Sequence, residues 1–145
     1  MRDAVGGVVN ISLIATFIAL ISGYMAFNIN YTKAFRMKNR VITALELYSG
    51  KCNFQDAHDE CTQYIEDYRT KIGYEFEIDC KDSPTNYCGK GYRAIKDNSN
   101  NDNGVKKSYY KVVTHVTIDI PVVERVMKYI PGFDVTGSTK LITER

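Results

Sequence analysis

The side chains that could do chemistry in this chain are few and scattered. The only histidines are His58 and His115, and no carboxylates cluster around either in the sequence, so they do not indicate a metal site. The chain contains no G-x-S-x-G, P-loop or HExxH pattern. The short run Gly89-Lys90-Gly91 indicates a turn rather than a phosphate cradle. We therefore expect a protein that is not an enzyme and that uses no cofactor.

Four cysteines are the other reactive groups, and all of them follow Gly50. An even number of cysteines in a small domain is typical of disulfides formed in an oxidising compartment. A zinc site is the alternative, but the spacings of 9, 19 and 8 contain no C-x₂-C knuckle. The pairing stays open: a hairpin would join Cys80 to Cys88 and leave Cys52 with Cys61, whereas a strand returning along its helix would join Cys61 to Cys80.

The elements that must position these cysteines begin with an uncharged segment. Residues 4–32 have no formal charge, and Val8 to Phe27 is the most apolar part. Its 20 residues, at about 1.5 Å each, span roughly the 30 Å of a bilayer's hydrocarbon core, where backbone amides are satisfied only in a helix. A cleaved signal peptide is the alternative, but its apolar core is typically shorter, about 7–15 residues. We predict a membrane anchor over residues 1–28.

One face of this anchor is expected to pack against other helices. Small residues recur at spacings of four, four and three, and such faces let helix backbones approach closely while buried Ser or Asn bonds across the contact. Small residues are common in transmembrane helices, but a lone anchor needs no such face. We expect homo-oligomers that associate through the N-terminal helices. The predicted packing residues are Asn10, Ser12, Ala15, Ala19, Gly23 and Ala26.

The same helix is predicted to continue as an amphipathic helix over residues 29–50. This stretch has no Gly or Pro before Ser49-Gly50, and its apolar residues recur at intervals of three and four. Ser49-Gly50 is a helix stop. One helix of more than forty residues is therefore expected, with its first half in lipid and its second half covering a domain formed by residues 51–145.

That domain is predicted to be α+β, with the long helix and a shorter one packed on a roughly four-stranded antiparallel sheet. The shorter helix is expected over Ala57–Lys71, capped by Asp56 and ended by Gly73. A polar turn is expected over Asp97–Gly104, and a short apolar helix after Pro121. The predicted strands are Tyr74–Cys80, Gly91–Lys96, Ser108–Ile120 and Phe133–Thr143.

Charge gives a conflicting indication of topology. The net charge of +2 gives no reason to expect a nucleic-acid partner. Lys33, Arg36, Lys38 and Arg40 follow the anchor, whereas only Arg2 and the terminal amine precede it, so the positive-inside rule favours a cytoplasmic domain with reduced thiols. Paired cysteines favour the opposite. We give the cysteines more weight and expect an extracytoplasmic domain on a membrane anchor.

A hydrophobic N-terminal helix that runs into an amphipathic helix and packs on an antiparallel meander resembles the type IV pilin and pseudopilin plan. The end of the chain resembles Tad-type (TadE/TadG-like) pilins, in which a strand meets a Pro-containing apolar segment before a Thr-rich closing strand. The matching residues here are Asp119-Ile120-Pro121-Val122-Val123 and residues 135–142. The resemblance implies a structural subunit of an extracellular filament or secretion pseudopilus, partnered by the membrane and the pilus assembly machinery.

Leader processing is a further expectation from this resemblance. Gly7 is the candidate leader-cleavage position, which would make Val8 the first mature residue. The fifth would then be Ser12, whereas prepilins typically place Glu there, and no acidic residue lies between Asp3 and Glu46. Assembly would then depend on the small-residue face rather than on that charge. The alternative function is a monomeric, membrane-anchored binding or accessory module.

Overall fold

The longest element, helix α1, runs without a break from the start of the chain into the folded domain. The computed structural model describes residues 2–78, 80, 87–102, 105–116 and 132–143. Helix α1 spans Arg2–Leu47, 46 residues, which confirms the prediction of one helix of more than forty. It ends at the predicted stop: Ser49 and Gly50 have φ of 53° and 73°, and the Gly50 N–H donates to the Leu45 carbonyl at 2.7 Å.

The second helix, α2, spans Glu60–Ile72 and begins three residues later than predicted. Asp56 does not cap it, because its carboxylate accepts a hydrogen bond from the His58 N–H at 2.9 Å and holds a local turn instead. The N-cap is Asp59, whose carboxylate accepts from the Thr62 N–H at 3.1 Å. The predicted end at Gly73 is confirmed, with φ of 62° in the left-handed region.

The sheet is antiparallel, in the order β1-β2-β3-β4, with a further short strand β5 also paired to β3. Its centre is the long hairpin formed by β2 and β3, which pair from Tyr92↔Thr114 to Asp102↔Val105. The predicted α+β arrangement is therefore confirmed. The strands are β1 Cys88–Gly89, β2 Tyr92–Asp102, β3 Val105–Val116, β4 Phe133–Ser138 and β5 Ile142–Thr143.

Two sequence predictions about strands are wrong. Tyr74 to Ile78 is extended and buries alternate side chains, yet it forms no strand: alternation predicts a half-buried extended segment, but not a partner for its backbone. Residues 97–102, predicted as part of a turn, instead extend β2, because a β-hairpin is held by backbone pairing and does not require apolar side chains. The Tyr109 hydroxyl donates to the Asp97 carboxylate at 2.6 Å across this hairpin.

The predicted closing strand, Phe133–Thr143, is divided into β4 and β5. The division falls at Thr139, whose hydroxyl accepts from the Tyr110 N–H at 2.9 Å while its own N–H donates to the Tyr110 carbonyl at 2.9 Å. A side chain thus replaces one backbone partner of the ladder. The predicted helix after Pro121, and residues 117–120 of the predicted third strand, lie outside the described residues.

The core lies between the second half of α1 and the sheet. Ala34, Met37, Val41 and Ala44 are all 0% exposed and form one line along α1. The helix comes close to β4 at Gly137, where a Cβ would lie 3.0 Å from side-chain atoms of Ile42 and Lys38.

Polar bonds fix this packing. The buried Thr114 hydroxyl lies 3.2 Å from the Ala34 carbonyl of α1, and the Lys140 N–H donates to the Glu46 carboxylate at 3.0 Å. They fix the position of α1 relative to β3 and to the chain that joins β4 to β5.

Tyr74 joins the extended segment after α2 to the sheet. Its hydroxyl lies 2.6 Å from the Gly91 carbonyl and 2.8 Å from the His115 carbonyl, and it accepts from the His115 N–H at 3.1 Å. The ring is 0% exposed. The Tyr74 hydroxyl therefore joins to the sheet a segment that has no ladder partner.

We predict that Tyr74→Phe destabilises the protein by about 1–3 kcal/mol, because it leaves buried backbone groups without a partner. Tyr109→Phe is the control, because its hydroxyl bond to Asp97 is exposed, and it should cost less than about 0.5 kcal/mol. Urea unfolding of the full chain in detergent micelles measures both. Equal stability of Tyr74→Phe and the wild type would contradict the role given to this hydroxyl.

We also predict that stability falls at alkaline pH. Burial raises the pKa of Tyr74 and Tyr92 above the ordinary value of 10.0, and Glu66 beside Tyr92 raises the pKa of that residue further. The stabilising neutral hydroxyls are present below about pH 10 in both states and are lost from the unfolded chain first as pH rises. The free energy of unfolding should therefore decrease above pH 10. Tyr92→Phe should reduce the slope by up to about 1.4 kcal/mol per pH unit, and an unchanged slope would contradict the assignment.

Candidate functional site

The first half of α1 is bare. Every Val, Ile, Leu, Phe, Tyr and Met from Val8 to Met25 is between 51% and 70% exposed, whereas the domain covers the helix only from about Gly23 onwards. This part of α1 is long and apolar enough to cross a membrane. A surface of this kind is stable in lipid or against other apolar helices, and we treat it as the candidate site.

The small-residue face is in line with the buried face of the same helix. Eighteen residues make five full turns of an α-helix, so positions 18 apart point in the same direction. Thr16, Ala19, Gly23 and Ala26 stand 18 residues before Ala34, Met37, Val41 and Ala44, four of the α1 residues that the domain buries completely. The line of side chains that holds the domain thus continues along the first half of the helix, exposed at Thr16 and Ala19 and partly covered at Gly23 and Ala26. We call this part, Thr16 to Ala26, the small-residue line.

The other predicted packing residues occupy different positions. Ser12 is seven residues before Ala19 and lies on the small-residue line's extension, and Ala15 lies on its flank. Asn10 is nine residues before Ala19, two and a half turns, so it is on the opposite face and is not brought together with the others. Gly7, the predicted cleavage position, lies within α1.

The Thr16 hydroxyl is satisfied within its own helix. It donates to the Ser12 carbonyl at 2.9 Å. A hydroxyl satisfied in this way adds little cost when the helix is placed in an apolar environment.

An aromatic cluster marks the point where the bare half meets the domain. The Phe133 ring, at the start of β4, lies 5.7 Å from that of Phe27 and 6.2 Å from that of Tyr31, and Tyr31 lies 6.4 Å from Phe35. Aromatic rings are typical of the interface between hydrocarbon and water. The cluster therefore suits the level at which an inserted helix would leave a membrane.

The basic residues that follow the anchor are largely used by the domain itself. The Lys33 ammonium donates to the Gly73 carbonyl, the cap of α2, at 3.0 Å. Lys38 is 9% exposed, and the Arg40 guanidinium lies 3.5 Å from the centre of the Tyr64 ring. Of the four cations that the positive-inside rule counts, three therefore have structural contacts in the described part of the chain.

The cysteines form two disulfides of short span. Cys52 pairs with Cys61, with Cα atoms 5.4 Å apart, and Cys80 pairs with Cys88, at 6.0 Å. This is the first of the two pairings that the sequence left open. The first bridge joins the end of the α1 turn to the first turn of α2 and is buried, whereas Cys80 is exposed. Disulfides of this kind are typical of extracellular domains.

The histidines form no metal site in the described residues. His58 is exposed, and the His115 Nδ1 lies 2.8 Å from the Asp134 carboxylate, its cross-strand neighbour. The register of β3 and β4 places that carboxylate beside the His115 ring. No group of three potential metal ligands occurs among the residues that the structure describes.

Comparison with known proteins adds no family. No protein-family model, curated protein or solved structure matches the chain. An apolar N-terminal helix is typical of membrane anchoring or of a signal sequence, and two disulfides are typical of an extracellular domain.

Sequence analysis missed two features of the site. One is the alignment of the small-residue line with the buried face, which the 18-residue spacing could have revealed. The other is the role of Lys38 and Arg40, because Lys38 packs beside Gly137 of β4 and Arg40 against Tyr64 of α2, both remote in sequence.

We predict that non-reducing peptide mapping of the membrane-extracted protein will recover Cys52 joined to Cys61 and Cys80 joined to Cys88. An impermeant maleimide applied to intact cells should label the chain only after a reductant is added, because every cysteine is paired in the structure. A cytosolic protein with known free thiols serves as the permeability control. Labelling that needs cell lysis but no reductant would contradict both the pairing and the extracellular location.

Proposed function

We propose that this chain is a pilin-like structural subunit of an extracellular filament or secretion pseudopilus, assembled through its N-terminal helix. The proposed role is structural rather than catalytic, and the proposed partners are further copies of the chain, the membrane and an assembly machinery. The observation that carries the proposal is the small-residue line, which continues the buried face of α1 below the domain.

The bare half of α1 needs a partner of its own kind or lipid. Burying one large apolar side chain is worth roughly 1.5–3 kcal/mol, and the residues from Val8 to Met25 are more than half exposed in the single chain. Lipid alone could cover them. The small residues favour a helix as the partner, because they allow another backbone to approach closely and contact with lipid needs no such surface.

The alignment of the two faces favours one geometry of association. Packed helices have axes about 8–10 Å apart. In a parallel pair joined side by side through Ala19 and Gly23, the second half of each α1 would need the space that the partner's sheet occupies. The contact becomes possible when one chain is displaced along the helix axis, by about the 36 Å of α1 that the domain covers between Gly23 and Leu47.

Such a displacement cannot be made by two anchors that span the same bilayer. It arises naturally in a head-to-tail helical filament, in which the small-residue line of one helix meets a different surface of the next. The alignment thus supports a filament over a side-by-side membrane dimer. Lys33, Lys38 and Arg40 make structural contacts within the domain. These contacts account for the basic residues that follow the anchor without a cytoplasmic domain, which further supports an extracytoplasmic location.

We predict that Gly23→Leu abolishes assembly and leaves the domain folded. The added side chain would hold the neighbouring backbone away from the small-residue line, whereas α1 and the core remain intact. The matched control is Ile21→Phe, which also enlarges the anchor but points away from that line, and it should retain filament yield. Filaments sheared from cells and quantified by immunoblotting give the readout, and circular dichroism of the extracted protein reports folding.

A wild-type filament yield from Gly23→Leu would overturn the proposal. So would photo-crosslinking from position 19 that captures lipid but no second copy of the chain. That second result would favour the monomeric membrane-anchored module instead.

A further inference from the structure

A groove of about 570 Å³ lies between α1 and the C-terminal end of α2. Its apolar lining includes Ile29 and Ile72, and three cations, Lys33, Arg36 and Lys71, also line it. The two helices run in opposite directions, so α2 ends beside the first turns of α1 that follow the apolar segment. The groove therefore lies at the base of the domain, next to the bare half of α1.

The groove is complementary to an anion. None of the residues that line it is acidic. Arg36 and Lys71 are exposed and make no salt bridge with any described residue, while Lys33 is held in place by the Gly73 carbonyl at 3.0 Å. Arg36 is also the one cation after the anchor to which the domain gives no structural contact among the described residues. Three like charges around one groove are unfavourable unless a counter-charge enters it.

The groove lies at the depth of lipid headgroups if Phe27 marks the end of the hydrocarbon. Lys33 is six residues beyond Phe27 and Arg36 nine, about 9 Å and 14 Å along the axis. Side chains on α1 tilt towards its N-terminus, so both cations lean towards the bilayer, whose headgroup layer is about 5–8 Å thick on each side. Ile29 is 57% exposed and joins the groove to the apolar surface below it.

We propose that this groove binds the headgroup phosphate of an anionic phospholipid, with the upper part of an acyl chain against Ile29. Charge complementarity favours an anion, and the apolar surface that continues into the anchor favours a lipid over free phosphate. The inference rests on the membrane-anchoring part of the proposed function and does not depend on assembly. Such a site would orient the subunit against the membrane.

The test uses the full chain reconstituted into nanodiscs that contain equal amounts of phosphatidylglycerol and phosphatidylcholine. Native mass spectrometry then counts the lipids that stay bound when the disc is removed. The wild type should retain phosphatidylglycerol preferentially, and Arg36→Gln/Lys71→Gln should weaken that preference roughly 25-fold, about fivefold for each cation. Lys51→Gln/Lys140→Gln removes the same charge from exposed positions near the far end of α1 and should leave the preference unchanged.

Three results would overturn the inference: equal retention of the two lipids by the wild type, an unchanged preference in Arg36→Gln/Lys71→Gln, or displacement of the lipid by inorganic phosphate, which would indicate a free-anion site. Thermal unfolding of both double variants verifies that they fold. Carbonate extraction distinguishes a failure of the lipid-binding inference from a failure of the proposed function. A chain that stays in the membrane but shows no lipid preference contradicts only lipid binding in the groove. A chain released by carbonate refutes the anchoring and the groove together.

Discussion

The structure depends on one helix that is longer than the domain it supports. The domain buries one face of α1, from Ala34 to Leu45, and that burial organises the core. The same face continues towards the N-terminus as small residues, which are exposed at Thr16 and Ala19 and partly covered at Gly23 and Ala26. Positions 18 residues apart on an α-helix point in the same direction. The side of α1 that holds the domain is therefore also the side that allows close approach of another backbone. That coincidence limits how two copies can meet.

Polar contacts add to apolar packing in fixing the domain on α1. Thr114 bonds to the Ala34 carbonyl, and Glu46 accepts from the Lys140 N–H, so the helix is held at both ends of the covered region. The Cys52–Cys61 bridge then ties the end of α1 to the start of α2. The domain can therefore act as a rigid head, and a force or a neighbour that acts on α1 acts on the whole subunit.

Strong local patterns in the sequence predict much of this fold. The uncharged segment, the Ser49-Gly50 stop and the Gly73 cap all correspond to observed features, because each depends on residues close together in the chain. The errors have a common cause in long-range contacts. Tyr74 to Ile78 alternates as a strand does, but it has no ladder partner, and the Tyr74 hydroxyl bonds instead to the backbone of Gly91, just before β2, and of His115 on β3. Asp56 is a good cap by type, yet its carboxylate accepts from the His58 N–H and holds a local turn, and Asp59 caps α2 instead.

The candidate site was predictable in composition but not in geometry. The sequence indicates which residues of the anchor are small, and the structure adds where the domain lies relative to them. Asn10 illustrates the difference, since its polar side chain suggested packing while its position places it on the opposite face. Similarly, the cations after the anchor form one basic band in the sequence. In the folded chain Lys38 and Arg40 pack within the domain, Arg36 lines the groove, and Lys33 does both.

The most direct test of this account is electron cryomicroscopy of material sheared from cells that express the chain. We expect filaments whose density resolves α1 as a continuous rod, with its bare half at the filament axis and its small-residue line in contact with an axially displaced neighbour. Recovery of the chain only as isolated copies in the membrane fraction, with no filament that contains it, would contradict the account.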